Sequence, residues 1–203
     1  MPQTKTYHHG DLRQALITAA LSLMAETEVG DLSLREVARR AGVSHTAPYR
    51  HFADKEALLA AVAEEGFRTF GQRLEAAAMT TDDPLKRLAA IGQAYVRYAL
   101  AHPVHYRVMF GSYDITDSDY PTLIEAAQLS YQVLLNAILS GQSAGAIRPG
   151  EPQLLATTAW SLTHGLAMLL LENCLTQTLA SDPEALTGAV NDLLISGLAT
   201  SPT

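Results

Sequence analysis

The chain has 203 residues, 48% of them apolar, one cysteine and a formal net charge of −7. That length carries one or two domains with apolar surface enough for a core. The single thiol, Cys174, excludes an intramolecular disulfide framework and a cysteine-based zinc finger, and suits a reducing compartment. The opening MPQTKTYHHGD lacks an apolar leader, and the longest unbroken apolar run, Gly165 to Leu171, is far short of a bilayer span, so a cytoplasmic location without a membrane partner is expected.

In chain order, Leu12, Leu16, Ala20 and Leu23, widened by Ile17 and Met24, form the buried stripe of a helix from about Gly10 to Glu28. Gly30 and Asp31 break it. From Ser33 to Lys55 the spacing predicts two short helices joined by a tight turn. Ser33 with Glu36 is a capping box, which starts a helix at about Leu34. Leu34, Val37, Ala38 and Ala41 face the core, and Arg35, Glu36, Arg39 and Arg40 face water. Gly42 supplies the left-handed residue that ends the helix, Val43 plugs the small core, and Ser44 can cap a second helix through Arg50. Its side chains, His45, Thr46, Tyr49, Arg50 and His51, are donors or short polar groups, with Phe52 as the apolar anchor. Pro48 removes a backbone donor, so this helix should be short and distorted in its first turn. Asp54 caps the next helix, and Lys55 sits in its first turn, where a phosphate would meet both the charge and unpaired N–H groups. The same pattern also suits the solvated face of an ordinary helical hairpin.

Leu59, Val62, Ala63, Gly66, Phe67, Phe70 and Leu74 extend a helical period to about Met79, a rod of roughly 37 Å. Asp83 before Pro84 starts a helix to about His102, Pro103 ends it, and a short helix through Phe110 follows. GSYDITDSDY at 111 to 120 reads as a polar, mobile loop. Pro121 opens a helix to about Ser143, GAIRPGEP is a loop, a long apolar helix runs from Pro152 to about Thr178, and DPEAL starts a last one to about Leu198. The fold class is all-α. Charge is divided unevenly: residues 1 to 55 hold seven Lys and Arg against six acids, a balance of +1, which leaves −8 for the rest of the chain. That split lets the N-terminal part approach a polyanion that the remainder repels.

The runs HGDLRQALITAALSLMAE, LSLREVARRAGVS and APYRHFADKEAL, between His9 and the start of the rod, resemble the DNA-binding domain of TetR-type transcriptional regulators. Trp160, His164 and Gly165 resemble the Trp-x-x-x-His-Gly signature of one C-terminal domain type in that family. The resemblance implies a three-helix helix-turn-helix domain at residues 1 to 55. A long helix joins it to an all-helical ligand-binding and dimerisation domain at 56 to 203. It assigns Tyr49, His51 and Lys55 to phosphates and His45, Thr46, Ala47 and Arg50 to base edges, with Arg35 and Ser44 completing the DNA-binding set. Pro48 departs from the bulky aliphatic common there, and Arg50 from a frequent aromatic. The implied partners are a pseudo-palindromic duplex, a small-molecule effector and a second copy of the chain; no cofactor is implied.

Read from the residues alone, Leu162, Leu166, Leu169, Leu170, Val190, Leu193, Leu194 and Gly197 offer more apolar and small surface than two helices within a subunit would cover. In the family resembled, the equivalent pair forms a four-helix dimer bundle. Tyr95, Tyr98, Tyr106, Met109, Phe110, Tyr131, Leu134, Trp160, His164 and Met168 recur at helical spacing and suit either one ligand cavity or plain core. Two rival classes remain: a ligand-free dimeric adaptor, and a metal-dependent enzyme using His102 and His105 with Asp114, Asp117 and Asp119. Pro103 disfavours the enzyme because it interrupts the helix that would hold both imidazoles on one face.

Overall fold

A carboxylate followed by proline marks where three of the helices begin. Asp83 accepts from the N–H groups of Leu85 and Lys86 at 2.9 and 3.2 Å, Glu151 from that of Leu154 at 2.9 Å, and Asp182 from that of Ala185 at 3.0 Å. The proline that follows each acid occupies a position whose N–H would have no partner in any case. The computed structural model describes residues 9–27, 29–111 and 119–200. Among these the α-helices are α1 (His9–Met24), α2 (Leu34–Arg40), α3 (Lys55–Ala78), α4 (Pro84–Ala101), α5 (Pro103–Gly111), α6 (Pro121–Ser143), α7 (Pro152–Leu171), α8 (Gln177–Ala180) and α9 (Pro183–Leu198). Short 3₁₀ turns stand at Val29–Asp31 and Pro48–Arg50. The only β pairing among the described residues is an isolated bridge between Ile147 and Ala199.

The chain divides into two compact units. The first comprises Met1–Gly66 with Val104–Leu123, and the second Phe67–Pro103 with Ile124–Thr203. In the first, Leu16, Ile17 and Ala20 of α1 and Val37 and Ala38 of α2 are buried. Glu65 of α3 accepts from the Gln14 amide at 2.9 Å. In the second, α4, α7 and α9 pack on one another. Gly92 lets α4 approach α9 closely: a Cβ there would lie 2.5 Å from Oδ1 of Asn191, a buried residue whose amide donates to the Ala89 carbonyl. By length and composition α7 is apolar enough to cross a membrane, although its unbroken apolar run is short; packed on α4 and α9, it serves as a core helix of this unit.

Two helices end earlier than their periodicity predicts. α1 stops at Met24 rather than about Glu28 because the N–H groups of Glu26 and Thr27 and the Thr27 hydroxyl all converge on the Leu23 carbonyl. α7 stops at Leu171 rather than about Thr178. Asn173 takes φ +52°, and the N–H groups of Asn173 and Cys174 turn back to the carbonyls of Leu170 and Leu169, an asparagine-based helix stop. The polar stretch expected at 111 to 120 falls largely outside the described residues, at 112–118.

Candidate functional site

The helix-turn-helix begins as its residues dictate. Ser33 Oγ accepts from the Glu36 N–H at 3.3 Å and opens α2 at Leu34. Gly42, at φ +71°, closes it. The Val43 N–H returns to the Ala38 carbonyl at 3.0 Å and the Gly42 N–H to that of Arg39 at 3.2 Å. The next element corrects the expectation of a helix capped at Ser44. Ser44 Oγ pairs with Thr46 Oγ1 at 3.2 Å, and the helical element between α2 and α3 is the 3₁₀ turn Pro48–Arg50. Proline at its first position supplies no N–H, and the turn closes on Pro48's own carbonyl, which accepts from His51 and Phe52 at 2.9 Å each.

Pro48 and Phe52 are buried, so the segment is anchored at two points while Ser44, His45, Thr46, Tyr49 and Arg50 are exposed and Ala47 and His51 half-buried. Asp54 Oδ1 caps α3 at the Ala57 N–H at 2.8 Å. Lys55 Nζ donates to the Gly30 carbonyl at 2.6 Å, which ties the start of α3 to the loop before α2. Arg40 is engaged too, donating to both Glu26 oxygens at 2.8 and 2.6 Å and to Ser22 Oγ at 2.6 Å. Those bonds hold the Glu26 carboxyl below its ordinary pKa. Arg35 is exposed on the same helix.

In the second unit Tyr95, Trp160 and His164 form a directed chain. The Trp160 indole N–H donates to Tyr95 Oη at 3.1 Å, and Tyr95 Oη lies 3.0 Å from His164 Nδ1. An indole nitrogen only donates, so Tyr95 Oη accepts from Trp160; toward His164 it donates when Nδ1 is bare and accepts when Nδ1 carries the proton. Burial lowers the His164 pKa from 6.5, so at neutral pH the ring is uncharged. Phe70 lies edge-on to Tyr95 with ring centroids 4.9 Å apart and tilted to Tyr98 at 5.1 Å, and Tyr131 faces Trp160 at 6.0 Å. Tyr131 also reaches Thr157 Oγ1 at 3.3 Å. Leu134 and Met168 are half-buried in this unit.

Tyr106, Met109 and Phe110 belong to the first unit, so the expected stripe is distributed over both. There Tyr106 and Met109 are buried and the Tyr106 and Phe110 rings lie 4.8 Å apart. The second unit also has an open cleft of about 370 Å³ lined by Glu75, Met79, Arg87, Asn136 and Ser140 among others, and by none of the residues expected to hold a ligand.

Two family models match the chain: bacterial regulatory proteins of the tetR family over residues 16–62, and the tetracyclin repressor-like C-terminal domain over residues 88–193. The chain belongs to the tetR family. A solved structure of a protein of unknown function from Rhodococcus sp. RHA1 is 35% identical, covers 97% of this chain and 100% of that one, and superposes with a TM-score of 0.84. A tetR-family regulatory protein from Rhodococcus RHA1, at 22% identity, TM-score 0.76 and coverage of 94% and 98%, shares the fold. The transcriptional regulator BetI of Yersinia pestis is 35% identical over 83 residues, 40% of this chain and 42% of BetI. The chain thus spans about two fifths of the length of the curated relatives it matches.

Within this tetR-family C-terminal region the expected dimer residues divide by exposure. Leu162, Leu193 and Gly197 are exposed and Val190 and Leu194 half-buried, whereas Leu166 and Leu170 are buried within the subunit. A Cβ added at Gly165 or Gly197 would meet nothing within 4 Å, so among the described residues no helix packs closely on Gly165. Exposed Leu154 and Leu169, together with Thr158, continue the outward face of α7.

Proposed function

We propose that this chain is a cytoplasmic, DNA-binding transcriptional regulator without enzymatic activity, active as a homodimer and most simply a repressor released by a small hydrophobic or aromatic effector. The observation that carries the reading is the turn from Ser44 to Phe52, anchored inside by Pro48 and Phe52 and polar outside, within a segment matched by the tetR-family model. Residues 1 to 55 read DNA through Arg35, Ser44, His45, Thr46, Ala47, Tyr49, Arg50, His51 and Lys55. Residues 56 to 203 hold the effector and the partner subunit. The uncharged His164, with Tyr95, Tyr98, Tyr131 and Trp160, supports an effector that is mainly apolar and carries a hydrogen-bonding group.

The exposed apolar face of α7 and α9 supports a two-fold pairing with a second copy, which presents two recognition turns to one duplex. Selection from a pool of random duplexes tests the DNA-binding claim: a pseudo-palindromic sequence is enriched, and Arg50→Ala weakens it by about 1–3 kcal/mol more than unselected DNA. Enrichment of no sequence by the intact chain refutes the regulator reading. Leu193→Asp tests the dimer by light scattering. A charge placed in the interface without a partner costs several kcal/mol, so the mutant runs as a monomer.

A further inference from the structure

The cations of the DNA-reading segment are not equivalent. Arg39 pairs with Glu36, Arg40 is held by Ser22 and Glu26, and Lys55 donates to the Gly30 carbonyl. Arg13, Arg35 and Arg50 are exposed and make no hydrogen bond or ion pair with a described residue. Of these three, Arg13 is held in place by a ring: its Cζ lies 5.7 Å from the centroid of Phe52.

That ring is 2% exposed, and the Phe52 N–H helps close the recognition turn on the Pro48 carbonyl. Phe52, two residues past Arg50 along the chain, therefore has the Arg13 guanidinium over its ring. Stacking on an aromatic face leaves the in-plane N–H donors of a guanidinium available, and that planar fork matches two oxygens of a phosphate.

We propose that Arg13 is a DNA-backbone contact, a guanidinium held by Phe52 beside the recognition turn and taking a phosphate of the duplex. The inference rests on the DNA-binding reading. Arg13 sits on α1, outside the turn that would enter a groove, so it adds affinity for duplexes of any sequence and carries no base preference. Lys55 donates to the Gly30 carbonyl, whereas the guanidinium of Arg13 over Phe52 has its donors open to a phosphate.

The probe is a random-sequence duplex of about 30 base pairs, which dispenses with an identified operator and fits a sequence-independent contact. Affinity is measured by fluorescence anisotropy at several salt concentrations for the wild type, Arg13→Gln and Arg13→Lys, with melting temperatures recorded alongside. Arg13→Gln is expected to reduce the slope of log K against log salt by about 0.9 for each bound copy. Arg13→Lys keeps the charge and restores the slope, although not the full affinity. An unchanged slope in Arg13→Gln, with or without a lower melting temperature, overturns the proposal and leaves Arg13 as a packing residue on Phe52. Wild-type protein that binds neither this duplex nor any selected one overturns the DNA-binding reading as well.

Discussion

The recognition turn and the Tyr95–Trp160–His164 chain are made from similar side chains, tyrosine and histidine beside a large apolar ring, and they use them in opposite ways. In the turn, His45, Thr46, Tyr49 and Arg50 point outward, and the fold is secured underneath by Pro48 and Phe52. In the chain, Trp160, Tyr95 and His164 hydrogen-bond in sequence, with Phe70 against the Tyr95 ring. The difference shows that residue type alone does not say whether a polar aromatic stabilises the subunit or serves a partner. Burial and the destination of its donor decide it.

The comparison is tested hardest in the second region, where groups have no room to move. Gly92→Val places a branched side chain against the buried Asn191 amide, which is bonded to Ala89 and cannot turn away without losing that bond. The expected loss is about 3 kcal/mol, read by denaturant unfolding. Next in size is a matched pair. Tyr95→Phe takes the Tyr95 hydroxyl from both the Trp160 N–H and His164 Nδ1, and should lower stability by about 1–2 kcal/mol. Tyr49→Phe, at an exposed position, should stay within about 0.5 kcal/mol. Equal losses in the two mutants would mean that the regions do not differ as described.

The first region has its own rigid point, which lies in the backbone. Gly42 is at φ +71°, a conformation that costs an L-residue about 1 kcal/mol, and nothing lies within 4 Å of a Cβ built there. Gly42→Ala should therefore lower the melting temperature through backbone strain alone. An unchanged melting temperature would show that the turn after α2 relaxes freely.

Local signals in the sequence carried much of this fold, because caps and stops are written in one to four residues. Ser33, Gly42, Asp54, Asp83 and Asp182 act where their spacing predicts. Asn173 was missed because asparagine takes positive φ less often than glycine, and the apolar period runs on past it. The 3₁₀ turn at Pro48 was half legible: the missing donor foretold a distorted start, whereas the carbonyl that gathers two N–H groups is a three-dimensional fact. Helical spacing groups residues on one face but does not say what covers that face. Leu166 and Leu170 therefore share a helix with exposed Leu162 yet are buried in their own subunit. For the same reason Tyr106 and Met109 continue the aromatic stripe in sequence but belong to the other unit. Arg13 carried no signal of its own, because an arginine at the solvent edge of a helix is the ordinary case.

The smallest expected effect is also the most specific, because it isolates one imidazole. His164 Nδ1 lies 3.0 Å from Tyr95 Oη, and burial depresses the ring's pKa below 6.5 in the folded state. An unfolded chain has the ordinary histidine value and binds the proton more readily, so the unfolded state gains protons first as pH falls. Stability contributed at this site is therefore complete above about pH 6.5, declines below it, and levels off once the folded ring is protonated as well. The protonated ring carries an N–H on both nitrogens, and Tyr95 Oη then accepts from both His164 and Trp160. The chain has six other histidines, so the melting temperature of the wild type between pH 8 and pH 5 has to be read against that of His164→Gln. The difference between the two curves should be flat above pH 7 and should narrow on the acid side. A difference that stays constant across the range would mean that the ring is solvated like any surface histidine, and that Tyr95 and Trp160 hold together without it.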